Sequence, residues 1–362
     1  MNTCVRDTAL ALAVVSTAVT LTACGSGAGD TPGSGSTRTI GLLLPDSTTP
    51  RWEEQDRPLL EQKIRQLCAD CRIEHADAKG DVAIQQEQMD STIAHGVDAI
   101  VLAAVDARAM AAAVGRAAAA HIPVIAYDRL AEGPIAGYVS FDAEEVGRLQ
   151  GKALLTALGA QAHGGRIVMM NGDPGDPNAL SFKQGALSEL RGKVTIAKEY
   201  DTPQWSAETA DQNMAAAIST LGAGSIDGVY AANDELAAGS IAALKADKVS
   251  PLPPVTGQDA ELAAVRRIVG GDQYMTVYKP FGPEAAAGGA MAVAAARGRP
   301  LDEVATGRVR TRGGAEVPAV LLTPVSVTLA TVKNTLVKDG VYTIGQICAP
   351  PLARDCHRVG LT

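Results

Sequence analysis

Two aspartates could do chemistry together. Asp128 closes the apolar run Val124–Tyr127, and Asp259 follows the run 254–257. An acid and a base or nucleophile held at a defined separation is what glycoside hydrolysis requires. Chain position sets neither their distance nor their burial, and the export signal described below points away from intracellular metabolism, so an enzyme is not the favoured reading. Cys68-Ala69-Asp70-Cys71 has redox spacing. A thioredoxin-like pair follows a strand and opens a helix. This pair closes a helical period and precedes the extended run 72–76, which leaves a structural disulfide or two buried thiols. His75 lies nearby without a second ligand pair at zinc spacing, and His95, His121, His163 and His357 show no ligand pattern either. Dinucleotide, triphosphate and lipase-type glycine motifs are missing from the sequence, so no cofactor is implied.

Positioning such residues needs a scaffold, and the apolar pattern supplies one. From Thr39 onward short apolar runs alternate with longer amphipathic ones. The spacing predicts strands over 40–44, 72–76, 99–104 and 124–127, with helices over 53–69, 82–95 and 107–120. Leu59, Leu60, Ile64 and Leu67 make the stripe of the first helix, and Gly96 ends the second. The pattern then restarts, with strands over 138–141, 166–171, 194–200, 228–232, 254–257 and 274–278. Between them lie helices over 143–158, 179–190, 207–221, 236–246, 262–269 and 283–296. Repeated strand–helix units imply parallel strands with right-handed crossovers, here two α/β domains in sequence. Asp46, Asp128, Asn171, Asn233, Asp259 and Lys279 all follow predicted strand carboxyl ends, the edge where open α/β sheets bind ligands. Two such edges facing each other make a cleft.

The composition agrees with this. The 362 residues are 46% hydrophobic and 20% charged, enough apolar material for packed cores. A net charge of −8 without a long basic run gives no support for nucleic acid as a partner. Residues 9–23 are almost wholly apolar or small and end in Leu21-Thr22-Ala23-Cys24. This ending resembles the bacterial lipoprotein signal, which implies cleavage before Cys24 and lipid on its thiol. Residues 1–24 then form the signal and 25–38 a Gly/Ser-rich flexible tether, placing the folded part outside the cytoplasmic membrane. Four cysteines remain in the mature body, an even number in an oxidising compartment. Cys348 and Cys356 flank a proline-containing loop and could pair.

Several short stretches resemble one known family when taken in order. They are Pro50-Arg51-Trp52, Ala126-Tyr127-Asp128-Arg129, Tyr138-Val139-Ser140-Phe141-Asp142, Asp176-Pro177-Asn178-Ala179, Ala232-Asn233-Asp234, Gly257-Gln258-Asp259-Ala260, Thr276-Val277-Tyr278-Lys279-Pro280 and Leu322-Thr323-Pro324. From about Thr39 to about Gly340 the chain resembles the type I periplasmic-binding-protein sugar receptors, and among them the xylose receptors of ATP-driven importers. The resemblance implies two Rossmann-like three-layer lobes joined by a hinge with a central ligand cleft. It assigns 39–136 plus 281–322 to an N-terminal lobe and 137–280 plus 323–345 to a C-terminal lobe, and leaves 346–362 as a cysteine-containing tail outside the match. It implies that Arg51, Trp52, Asp128, Arg129, Asp176, Asn178, Trp205, Asn233, Asp259 and Lys279 contact a monosaccharide, D-xylose first. It further implies a monomer that docks on a membrane permease with its ATPase, with no covalent step. A sugar-sensing receptor for a kinase or chemotaxis partner is the alternative. The residue types suit either role: carboxylates accept, Arg and Lys donate, Asn does both, and Trp offers a flat apolar face. Pro50 stands where the xylose receptors carry an acidic residue, and extra proline occupies the loop 173–178.

Overall fold

Strand β1 (Thr39–Leu44) shows why this chain builds layers. Successive side chains of a strand point to opposite faces, and here both faces are covered. Leu42 and Leu44 pack with Leu60 and Ile64 of α1 (Arg57–Leu67) and Met291 of α9 (Phe281–Ala296). Leu43 packs on the other side, with Met89 of α2 (Val82–Ala94) and Val114 of α3 (Ala111–Ala119). The computed structural model describes residues 37–362; the signal, Cys24 and all but the end of the tether lie outside the described residues.

The first lobe centres on a seven-stranded sheet. Around β1 lie β2 (Arg72–Asp77), β3 (Ala99–Leu102), β4 (Val124–Tyr127), β5 (Gly137–Phe141), β10 (Gly307–Arg310) and β11 (Glu316–Leu322), in the order β10-β11-β5-β4-β3-β1-β2. All neighbours run parallel except β10 and β11. This corrects the reading of 138–141 as the start of the second domain. Strand β5 pairs with β4 through Ala126 and Tyr138, and with β11 through Val139 and Val320. All five of its residues are buried, which a strand at the start of a new sheet would not need. The first crossing therefore falls after Phe141, before α4 (Ala143–Leu158), whose Val146 and Leu154 join the second lobe's core.

The second lobe sets β6 (Arg166–Asn171) between β7 (Thr195–Asp201) and β8 (Gly228–Ala231), all parallel. Residues 254–258 extend the layer: Val255 bridges Val229, and Val277 N donates to Gly257 O at 3.2 Å. Strand β9 (Met275–Tyr278) then pairs antiparallel with β12 (Val325–Thr328). The helices α4, α5 (Pro177–Leu190), α6 (Ala207–Leu221) and α7 (Asp234–Ala246) pack against this sheet. Beyond it, α8 (Leu262–Gly270) is covered by the tail, where α10 (Ile344–Ile347) and α11 (Ala353–Arg358) contribute Ile347 and Cys356 to a core with Val265 and Ile268. Cys348 and Cys356 are joined, and so are Cys68 and Cys71 at the end of α1. The redox-spaced pair thus links two residues in a helix-terminating turn.

Local differences from the predicted elements have clear causes. The helix predicted from 53 opens as one wide turn, Trp52–Asp56, before α1 begins. Leu60 and Ile64 are buried as the stripe requires, whereas Leu67 is 37% exposed at the last turn, where the sheet no longer covers it. The helix predicted from 107 starts at Ala111, because the Asp106 carboxylate accepts from Ala109 N at 2.7 Å and holds the preceding turn.

Helices α4 and α5 approach so closely that side chains are excluded. A Cβ on Gly147 would lie 1.9 Å from Phe182 O, and one on Gly185 would lie 2.0 Å from Glu144 O. We expect Gly185→Ala to destabilise the protein by at least ~1–3 kcal/mol, the usual cost of overpacking. Gly224→Ala, with nothing within 4 Å of the new methyl, should stay within about 0.5 kcal/mol. Urea unfolding of both variants checks this, and equal stabilities would contradict the packing described.

Candidate functional site

Loops at the carboxyl ends of the strands bring all ten predicted site residues to one cavity. Arg51 and Trp52 follow β1, Asp128 and Arg129 follow β4, and Asp259 and Lys279 follow the run 254–258 and β9. Asp176 and Asn178 open α5, Asn233 opens α7, and Trp205 sits on the loop before α6. Asp176 caps Asn178 N at 2.8 Å and Asn233 caps Leu236 N at 3.0 Å, so each holds its helix end while facing the cavity. Asp259 does not cap α8; the residue before that helix is Glu261, which makes no side-chain cap. Three site residues occupy left-handed backbone that favours glycine: Asp128 (φ 59°), Trp205 (φ 53°) and Asp259 (φ 96°). Backbone bonds hold them there, Asp128 N to Val139 O at 2.8 Å and Asp259 N to Val277 O at 3.0 Å.

Asp128 is the hub. Its Oδ2 accepts from Arg51 Nη1 at 2.8 Å and Lys279 Nζ at 3.0 Å, and its Oδ1 accepts from Asn178 Nδ2 at 3.0 Å. Asp259 Oδ1 lies 3.3 Å from Lys279 Nζ and 3.4 Å from Arg51 Nη1. Arg129 pairs with Asp176 at 2.8 Å. Each of these groups is buried. Burial alone would raise the Asp128 carboxyl, but Arg51 and Lys279 outweigh it and hold it well below the ordinary range. Burial and Arg51 press the Lys279 ammonium towards neutrality, yet Asp128 and Asp259 prevail and raise it. The set therefore stands as fixed donors and acceptors, and Asp128 is no proton donor.

Arg51 is itself fixed from behind. Asp56 takes its Nε at 2.7 Å and its Nη2 at 3.0 Å, and Glu284 takes Nη2 at 2.9 Å. Tyr127 OH donates to Asp56 at 2.6 Å. Burial drives the Glu284 carboxyl well above its usual range despite Arg51. Only Nη1 of Arg51 is left to face Asp128 and Asp259. Trp52 stacks with both cations, its ring centroid 4.4 Å from the Arg51 guanidinium and 5.5 Å from that of Arg129. The free volume among these side chains is about 20 Å³, room for about one water. Any larger ligand must replace the direct ion pairs, which means parting the lobes.

Thr49, Phe182 and Gln258 also line the cavity. Gln258 is the second residue of Gly257-Gln258-Asp259-Ala260, and Phe182 stands one helical turn after Asn178, where a period count along α5 finds it. Glu284 and Asp56 gave no signal, since one sits in an alanine-rich helix and the other in a predicted helix interior. Among the described residues no group of His, Cys, Asp and Glu could hold a metal ion; His75 pairs with Glu53 at 3.2 Å.

The family described as "Periplasmic binding protein domain" matches residues 40–300. The chain is 34% identical over 310 residues to a D-xylose-binding periplasmic protein of Haemophilus influenzae, covering 84% of this chain and 90% of that one. It is likewise 34% identical over 309 residues to the D-xylose-binding periplasmic protein of Escherichia coli, with the same coverage. An ABC transporter solute binding protein from Clostridium phytofermentans, solved with bound β-D-glucose, matches with a TM-score of 0.79 at 28% identity, covering 86% of this chain and 100% of that one. The chain belongs to the periplasmic-binding-protein family, whose two-lobed fold it has. Within that family it is a type I sugar receptor related to the D-xylose-binding proteins.

The second lobe carries acidic groups just outside the cavity, and they make stability depend on pH. Burial pushes Asp234 up to about 7, although Arg267, Gln273, Thr276 and Glu261 N oppose it. Burial, then Asp234 and Glu235, push Glu261 up to about 9. Folded carboxyls with raised pKa keep protons that the unfolded chain releases above its ordinary carboxylate range. The stability they contribute is fully present below the ordinary carboxylate range and is lost as pH rises from there to about 7 for Asp234 and about 9 for Glu261. We expect Glu261→Gln to raise the urea midpoint more at pH 8.5 than at pH 5.5, because the cost to the parent of holding a proton that the unfolded chain releases grows as pH rises towards about 9. An equal gain at both would contradict this.

Proposed function

We propose that this protein is the extracytoplasmic sugar receptor of an ABC importer, lipid-anchored through Cys24, which captures one monosaccharide, D-xylose first, between its lobes. The observation that carries the reading is the Asp128 hub. A carboxylate of the first lobe is bonded directly to Asn178 and Lys279 of the second. Those bonds close the cleft, and they are the bonds that sugar hydroxyls can replace. A hydroxyl donates and accepts at once, so a ring placed between Asp128 and Lys279 can satisfy both while the lobes stay together. Arg51 Nη1, Arg129, Asn233 and Asp259 supply the remaining directions. Trp52, Trp205 and Phe182 give the ring's C–H faces apolar walls. The groups are fixed before the sugar arrives, so little ordering cost falls on binding.

Opening separates Asp128 from Lys279 and Asn178, and the sugar enters on one lobe. Closure then brings the other lobe's groups onto it. The closed form presents itself to a permease and its ATPase. No bond of the sugar is made or broken. The family relatives named for D-xylose support the choice of pentose.

The test is calorimetric titration of the tetherless protein with D-xylose, D-glucose, D-galactose and D-arabinose. We expect D-xylose to bind, and Asp259→Ala and Asp128→Asn each to weaken it at least about tenfold, or ~1.4 kcal/mol, with unchanged far-ultraviolet circular dichroism. Binding of no sugar, or unaltered binding in both variants, would defeat the proposal. For the anchor, Cys24→Ala should move the protein from the membrane to the soluble fraction of its host, and an unchanged distribution would refute lipidation at that residue.

A further inference from the structure

Outside the inner cavity the same cleft holds a second one, of about 340 Å³. That lies within the range of about 300–1,000 Å³ typical of small-molecule sites. The two share Arg129 and Trp205 as a common wall. Both lobes build the outer one: Asp46 and Lys79 come from loops after β1 and β2, and Asp173, Gln204 and Glu235 come from the second lobe.

The backbone there is held as it is at the inner site. Among the described residues eight non-glycine positions have left-handed φ. Asp128, Trp205 and Asp259 line the inner cavity, and Lys79 (φ 55°) and Gln204 (φ 58°) line the outer one, which leaves three elsewhere. Such strain collects where a surrounding structure fixes a side chain for use. Asp173 fixes the loop before α6 by accepting from Gln204 N. Glu235 reaches Thr49 of the inner cavity, whose Oγ1 donates to it at 3.4 Å, so the two cavities are also joined by a hydrogen bond.

The charges select the occupant. Asp46, Asp173 and Glu235 face only Lys79 and Arg129, and Arg129 is already paired with Asp176. A phosphorylated or carboxylated substituent would meet three acids and one uncommitted cation. A neutral ring with several hydroxyls finds acceptors, the Lys79 ammonium, the Gln204 amide and the edge of Trp205. We infer that the outer cavity takes a second sugar ring, glycosidically linked to the one in the inner cavity, so that the ligand class includes disaccharides. The inference rests on the inner cavity being a sugar site.

The experiment titrates the mature full chain with two matched pairs, D-xylose against xylobiose and D-glucose against cellobiose. It does so in the parent and in a double variant, Lys79→Asn with Gln204→Gly. Asn and Gly tolerate the left-handed backbone at these positions. Expected are disaccharide binding within tenfold of the corresponding monosaccharide, and at least a fivefold loss of disaccharide affinity in the double variant with monosaccharide affinity kept within twofold. Monosaccharide binding without disaccharide binding overturns this inference and leaves the sugar-receptor reading standing. The same holds if the double variant weakens both ligands alike or leaves the disaccharide unaffected. Binding of neither class by the parent overturns both.

Discussion

A buried carboxylate stands at the centre of the contact between the lobes. Asp128 leaves the first lobe's sheet in a left-handed conformation and meets Asn178 and Lys279 of the second lobe within 3.0 Å. Burying such a charge is costly unless every lone pair is met by a donor. Here Arg51, Lys279 and Asn178 meet it, and two of the three donors are cations. Arg129 with Asp176 at 2.8 Å and Arg51 with Asp259 at 3.4 Å add further ion pairs across the same cleft.

The constraint propagates backwards into the first lobe. Arg51 can aim Nη1 into the cleft because Asp56 and Glu284 occupy its other nitrogens, and Tyr127 orients Asp56 in turn. Tyr127 belongs to β4, Glu284 to α9 and Asp56 to the wide turn before α1, so the interior of one lobe decides the aim of a buried guanidinium at the cleft. The second lobe reaches the same rigidity differently. It places Asp176 and Asn233 at helix starts, where a side chain that caps the helix has its position fixed by backbone N–H groups, and it threads Trp205 through a strained turn.

Close approach of elements sets the geometry between these anchors. Gly147 and Gly185 let α4 and α5 touch backbone to backbone, which fixes where α5 presents Asp176 and Asn178. The tail contributes on the far side, where Ile347, Cys356 and Leu361 cover α8 and so support the segment running from Asp259 into that helix.

Much of this was legible in the sequence. Alternating apolar runs gave the two α/β halves because a strand buried on both faces must be apolar throughout. The polar residues after those runs had to lie at strand ends, and motif resemblance supplied Arg51, Asp176, Asn178 and Trp205. What the chain by itself determined was local: periods, breaks, caps and the residue types at each sheet edge. Only the tertiary structure decided that 138–141 completes the first sheet, since its partner β11 arrives about 180 residues later. It alone revealed that Asp56 and Glu284 stand behind Arg51. It also decided that Asp128 pairs across the cleft, because a charge's partner is chosen by distance in space, and sequence patterns record only distance along the chain.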